Sequence, residues 1–401
     1  MPLPPSPARA GRPQKRRLTA FTRYGVIPLL ILTLGVRIGM FLARQPVPNP
    51  DAPQAMTRVA ADATLAETPA AAAAPSRFSC EAALSFGGNI YPSLLLSFGA
   101  AYPEYARNLT LHIRNATAGK AVQIRIDSNL FLQPFQQSAS APSADFTLSP
   151  DLPWNYAALR QLSQSRPESF VVTTSAEGFS TEQQTLVCNV HSINEVVARL
   201  YNAETGQWQD TSICFAAFVN EDHPWIASLL QEAMARGGLR AITGYESGPY
   251  TVTQQAQAVW EALAARGLTY VNVATDSSSS SGVDTQFVRF LDQSVQDQGA
   301  NCVDASVLFA SIFRRMGLRP VLFFRPGHCF VGYYDAAEGG HMIALETTYL
   351  NSGSFASAVI AGTQELQTTL PYLGTSQYAA VDIVQARRLG INPIGYSGAR
   401  P

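Results

Sequence analysis

Hydrophobic positions change their period along this chain, and the change divides it. Between residues 77 and 194 apolar residues come in short runs or alternate with polar ones, as in YPSLLLSF, NLTLHIRN, KAVQIRIDS, SFVVTTSA and TEQQTLVCNV. Alternation sends successive side chains to opposite faces of an extended backbone, so these segments predict strands. Breaks at Asn115–Gly119 and Ala176–Gly178 carry the turn residues. Residues 77–194 therefore predict a small all-β sandwich of immunoglobulin-like type.

After a junction at Ser192–Gln209 the period lengthens. TSICFAAFV reads as one more strand. HPWIASLLQEAMARG then sets Ile226, Leu229, Leu230 and Met234 at helical spacing. TVTQQAQAVWEALAARG sets Val252, Ala256, Val259, Trp260 and Leu263 on one face, with Gly267 as a stop signal. Ser277–Ser281 reads as a loop. A third helix starts at Cys302, carries Val303, Val307, Leu308, Ile312 and Phe313 at helical spacing, and ends at Gly317. Three strands follow, Pro320–Phe324, His328–Tyr334 and Met342–Thr347, the first two joined by a turn at Arg325, Pro326 and Gly327. Residues 205–401 thus predict an α+β domain with a helix packed on an antiparallel sheet.

The N-terminus follows neither pattern. A basic tail, residues 1–23, contains Arg9, Arg12, Lys15, Arg16, Arg17 and Arg23, and an apolar segment fills residues 24–43. Such a segment is long enough to cross a bilayer as a helix, and its basic flank predicts a cytoplasmic N-terminus with the bulk of the chain exported. Arg37 interrupts it, leaving an uninterrupted run to Val36 of signal-peptide length, so a cleaved signal and a buried helix stand as alternatives to the uncleaved anchor. Residues 44–76 are rich in proline and alanine, lack aromatics and read as a disordered tether. The predicted location is a bacterial inner membrane, single-pass, with the body periplasmic.

Composition adds limits. Hydrophobic residues make up 46% of the chain and charged residues 14%, enough for packed cores, and a net charge of −1 gives nucleic acid no electrostatic footing. Five cysteines in an exported chain make a Cys80–Cys188 bridge across the sandwich the expected pairing. Asn108 and Asn115 fit glycosylation sequons but are read as chance matches. His112, His191, His223 and His341 have no partners at metal-ligand spacing, so neither a metal nor a cofactor is expected.

Candidate chemistry concentrates in one stretch. Cys302 stands in the first turn of a helix, where unpaired N–H groups and the helix dipole favour thiolate and can receive an oxyanion. Asn301 and Asp304 read as capping residues of that turn. His328 opens the second strand and Glu346 lies in the third, in the order of a thiol nucleophile, its imidazole base and a carboxylate that orients the base. Cys329 alternates to the other face from His328. Gln296 and Gln298 are weaker candidates for an oxyanion donor, and Tyr270, Tyr334 and Tyr349 read as core or pocket wall.

The segments around Cys302, His328 and Glu346 resemble the transglutaminase-like superfamily of cysteine-nucleophile proteins. GLTYVN, NCVDASVLFASIFRRMGLRPVLFF, GHCFVG, SFASAV and ARRLGINP are similar to stretches of bacterial transglutaminase-like domains also found fused to helicases. The resemblance covers roughly residues 212–393 and implies a papain-like core with catalytic Cys302, His328 and Glu346. The superfamily usually has aspartate at the third position. It implies acyl transfer or hydrolysis on peptide or protein amides in the cell envelope, without a cofactor. The alternative is an inactive transglutaminase-like binding or scaffold protein in the same place.

Overall fold

Period-two alternation produces two sheets in the first part of the chain. The computed structural model describes residues 77–98, 107–202, 205–271, 279–280, 282–375 and 377–394. The expected basic tail, apolar segment and tether at residues 1–76 lie outside them. Among the described residues, no helix is long and apolar enough to cross a membrane.

The early strands are β1 (Ser79–Leu84), β2 (Asn89–Ile90), β3 (Leu109–Arg114), β4 (Ala121–Ile126), β5 (Phe135–Ser140), β6 (Phe146–Leu148), β7 (Arg166–Ala176) and β8 (Glu182–Val190). They build a three-stranded sheet, β1-β3-β6, and a five-stranded sheet, β2-β8-β7-β4-β5. Leu109 and Leu111 of the first share one core with Ile124, Ile126, Phe170 and Leu186 of the second. Cys80 and Cys188 are free thiols, not the expected disulfide. Cys80 is set in register with Ile113 on β3, while the Cys188 thiol points to the Glu168 carbonyl at 3.5 Å. Asn108 is buried, which leaves its sequon no room for a glycan.

Two segments expected as strands are helical. YPSLLLSF contains the helix α1 (Pro92–Phe98), and TSICFAAFV contains a 3₁₀ helix, Ser212–Phe218. Both are buried on nearly every side: Leu95 joins the core between the two sheets, while Leu94 and Phe98 join the larger core that holds Cys214, Phe215 and Phe218. A segment apolar all round carries no period, so strand and helix look alike in its sequence. Pro92 fits a helix start, where its missing N–H costs nothing.

A short helix, α2 (Tyr156–Arg160), precedes β7. The expected junction at Ser192–Gln209 is itself a hairpin, β9 (Glu195–Asn202) and β10 (Gln207–Asp210). Helices α3 (Pro224–Gly237) and α4 (Val252–Ala265) form where the 3.6-residue period predicted them. Gly267 follows α4 at φ +76°. Next come β11 (Thr269–Tyr270), β12 (Ser279–Ser280), β13 (Val283–Phe287), α5 (Leu291–Gln296) and β14 (Gly299–Ala300). Within the serine run read as a loop, Ser279 and Ser280 pair with Asp284 and Val283, and β13 pairs in turn with β9.

The elements that carry the candidate chemistry are α6 (Cys302–Arg315), β15 (Pro320–Arg325), β16 (His328–Tyr334), β17 (Met342–Leu345), α7 (Phe355–Thr369), β18 (Ala379–Asp382) and α8 (Ile383–Arg388). The four strands form an antiparallel sheet in the order β17-β16-β15-β18. Val307, Leu308 and Phe309 of α6 pack with Leu322, Val331 and Tyr333 on one face of it. Phe323, Phe330 and Ala344 pack with Leu366 of α7 on the other. The result is a mixed α/β architecture with one sheet between two helices.

Candidate active site

Asn301 decides where α6 begins. Its side-chain oxygen accepts from the N–H groups of Val303 and Asp304, both at 2.9 Å, and the Asp304 carboxylate reaches back to the Asn301 N–H at 3.2 Å. This reciprocal cap is the role the sequence assigned to the two residues. It also takes two of the N–H groups expected to receive an oxyanion, leaving the Cys302 N–H as the first-turn donor outside the cap. Asp304 is buried and is further held by the Arg289 backbone N–H and guanidinium, each at 2.8 Å. Burial pushes the Asp304 carboxyl up, against those hydrogen bonds and the Arg289 charge. Sequence reasoning missed Arg289; no periodicity marks an ion pair made across a turn.

His328 is placed by a tight turn. Pro326 and Gly327, the latter at φ +70°, bring His328 directly opposite Arg325 in the β15–β16 hairpin. A side chain with a Cβ strains that backbone, whereas glycine does not. Beyond it the strand alternates: Cys329 and Val331 face the α6 core, and Phe330 faces α7.

Glu346 lies one residue beyond β17 rather than inside a strand running to Thr347. The strand stops at Leu345, and Glu346 caps a 3₁₀ turn, Thr347–Tyr349. The pairing Val331↔Leu345, continued by one residue, sets Glu346 opposite Phe330 and diagonal to His328 on the same face. Diagonal positions lie farther apart than direct pairs but remain within reach of long side chains. Glutamate spans that gap: its Oε2 lies 2.7 Å from His328 Nε2. The other oxygen, Oε1, accepts from the Thr348 N–H at 3.0 Å and the Thr348 hydroxyl at 2.7 Å. Thr348 is a second residue the sequence reading passed over, although a threonine two positions after the acid is the signal for such a local bond. Behind this turn α7 comes very close. A Cβ on Gly362 would stand 2.6 Å from the Ala344 and Leu345 backbone, and the Glu346 N–H donates to the Ala358 carbonyl at 3.0 Å.

His328 and Glu346 therefore meet directly, and Cys302 stands near enough for its charge to act on the imidazole. Burial lowers the His328 pKa, but side-chain hydrogen bonds to Cys302 and Glu346 and their negative charges outweigh it and raise it to about 10. For Glu346, burial acts upward, but hydrogen bonds from His328 and Thr348 and the imidazolium charge hold the carboxyl below its usual value. The arrangement favours a carboxylate and an imidazolium side by side, next to a partly accessible thiol.

The other thiols differ. Burial pushes Cys188 up to about 11 and Cys214 up to about 12, and it raises Cys329 well above the usual thiol value, with the Cys302 charge adding to it. Cys80 is also raised by burial.

Weaker candidates go elsewhere. Gln296 and Gln298 are exposed, and Gln298 turns to the Arg266 carbonyl, away from Cys302. His191 stacks on Tyr91 with ring centroids 4.3 Å apart and bonds Glu195 and Asn89. His223 caps α3 and pairs with Asp292; His341 contacts Asp335, and His112 contacts Thr147. Among the described residues, no cluster of histidine, cysteine and carboxylates is arranged to hold a metal.

No protein-family model matches the sequence, and no curated protein matches it. Among solved structures, the chain is similar to a candidate cysteine protease from Cytophaga hutchinsonii. The identity is 14% and the TM-score 0.21, over 60% of this chain and 72% of that one.

Proposed function

We propose that this chain is a transglutaminase-like thiol enzyme that transfers acyl groups from peptide or protein amides. The observation that carries the reading is the 2.7 Å contact of His328 with Glu346, made beside the first-turn thiol of Cys302, whose charge helps raise the imidazole's pKa. In this mechanism the Cys302 sulfur attacks the amide carbonyl carbon and the carbonyl π pair moves to oxygen. Collapse of the intermediate expels the amine, which takes its proton from His328. The acyl group then passes from sulfur to water or to a second amine, while Glu346 holds the imidazole in place. Water far outnumbers amines at an exported site, which favours hydrolysis. The basic and apolar residues 1–43 support a membrane anchor with the body in the envelope, so envelope peptides and proteins are the proposed substrates.

The test is incubation of the purified protein with a glutamine-containing peptide library and a fluorescent primary amine, read by mass spectrometry. The expected result is hydrolysed or amine-conjugated peptide that is lost in Cys302→Ala. An absence of any Cys302-dependent product would favour the binding or scaffold reading.

A further inference from the structure

The capping of α6 leaves the oxyanion short of a donor. A tetrahedral intermediate formed on Cys302 places a negative oxygen beside the helix start, and such an oxygen is stabilised best by two or more preorganised donors. Asn301 takes the Val303 and Asp304 N–H groups, so the backbone offers the Cys302 N–H. Gln298 gives its amide to the Arg266 carbonyl, and Gln296 is exposed.

Tyr270 is where a second donor would have to be. β11 runs parallel to β14 with Tyr270 opposite Ala300, two residues before Cys302, and the Val271 N–H bonds the Ala300 carbonyl at 3.0 Å. On its other side β11 contacts the 3₁₀ turn that follows Glu346, and the Asn351 side-chain amide donates to the Leu268 carbonyl to hold that turn against the strand. Tyr270 is thus clamped between the segment that delivers the nucleophile and the segment that delivers the carboxylate, and it is half-buried. Burial raises the pKa of its hydroxyl, and the charges of Cys302 and Glu346 raise it further. A phenol held in its neutral form keeps its O–H and remains a donor.

We propose that the Tyr270 hydroxyl donates the second hydrogen bond to the oxyanion formed when Cys302 attacks a carbonyl, alongside the Cys302 N–H. The inference rests on the thiol-enzyme reading above. In the attack a sulfur–carbon bond forms and the carbonyl π pair becomes the oxyanion lone pair that Tyr270 meets. On collapse the oxyanion lone pair re-forms the carbonyl π bond and the leaving group departs with the pair of the bond that held it to carbon, so Tyr270 neither gains nor loses a proton over the cycle.

Two probes of the same sulfur separate this role from a structural one. p-Nitrophenyl acetate acylates a thiol through an oxyanion, whereas iodoacetamide alkylates it by displacement at carbon and forms none. In Tyr270→Phe the burst of nitrophenolate from Cys302 is expected to slow by about 100-fold, while alkylation of Cys302 keeps its rate and pH dependence within about twofold of the native protein. An unchanged burst, or a parallel fall in both reactions, would overturn the role of Tyr270 and leave the thiol chemistry standing. A native protein with no Cys302-dependent burst would overturn both.

Discussion

At the scale of single residues, the site works by setting charges next to one another where water is scarce. His328 carries the consequence most directly. Its native pKa is raised to about 10, against about 6.5 for a free histidine, so the folded chain keeps a proton there that the unfolded chain releases. The sign follows: the contribution of His328 to stability is fully present below pH about 6.5 and is lost as pH rises towards about 10. NMR titration of the imidazole ring should place its midpoint near the upper value, and Glu346→Ala should bring it down by removing both a hydrogen bond and a charge. A midpoint unmoved by that substitution would show that the carboxylate does not govern the imidazole. The other thiols respond differently. With Cys80, Cys188, Cys214 and Cys329 all raised by burial, a short pulse of iodoacetamide at pH 7 should label Cys302 and spare those four, as peptide mapping would reveal.

Among the elements, length and register matter more than residue class. Glu346 reaches His328 because its carboxylate starts from a diagonal position past the end of β17, and a side chain one methylene shorter would fall short. Glu346→Asp should therefore lower activity nearly as far as Glu346→Ala while leaving the thermal midpoint within a few degrees of the native value. Equal activity of the aspartate and native proteins would refute the register argument. The start of α6 is a second such point. Asn301→Ala removes the acceptor for two N–H groups, and loss of an N-cap costs about 1 kcal/mol, readable by chemical denaturation.

These examples also mark how much was legible beforehand. The helices α3, α4 and α6 and the strands β15 and β16 were readable because each buries a single face and repeats with one period. α1 and the Ser212–Phe218 turn were not, because burial on every side erases the period. Cys302, His328 and Glu346 could be named from their order and local setting. Thr348, Arg289 and the consequence of the Asn301 cap depend on contacts across turns, which a pattern of apolar spacing does not encode. The Cys80–Cys188 pairing was inferred from compartment and from the two residues' places near the start and in the last strand of the sandwich, neither of which fixes where a side chain points.

For the whole molecule, the site stands at a seam between elements distant in sequence. α6 carries Cys302 on one side of the sheet, β16 opens with His328, Glu346 follows the end of β17, and α7 closes on that end through Gly362. Arg289, whose side chain is 18% exposed, anchors Asp304, whose side chain is fully buried, and so ties the β13–α5 segment to the base of α6. Removing one partner of such a pair leaves a charge without compensation, so Arg289→Ala should destabilise the protein by roughly 3 kcal/mol near neutral pH. Adding Asp304→Asn should recover part of that loss, and denaturation curves of the single and double variants would measure both.

The central claim is that Cys302 is a nucleophile activated by His328, and the rate of its alkylation by iodoacetamide as a function of pH tests it most directly. At neutral pH Cys302 of the native protein should be alkylated about tenfold or more faster than a free cysteine, and His328→Ala should remove that enhancement. A rate no greater than that of a free cysteine, unchanged in His328→Ala, would contradict it.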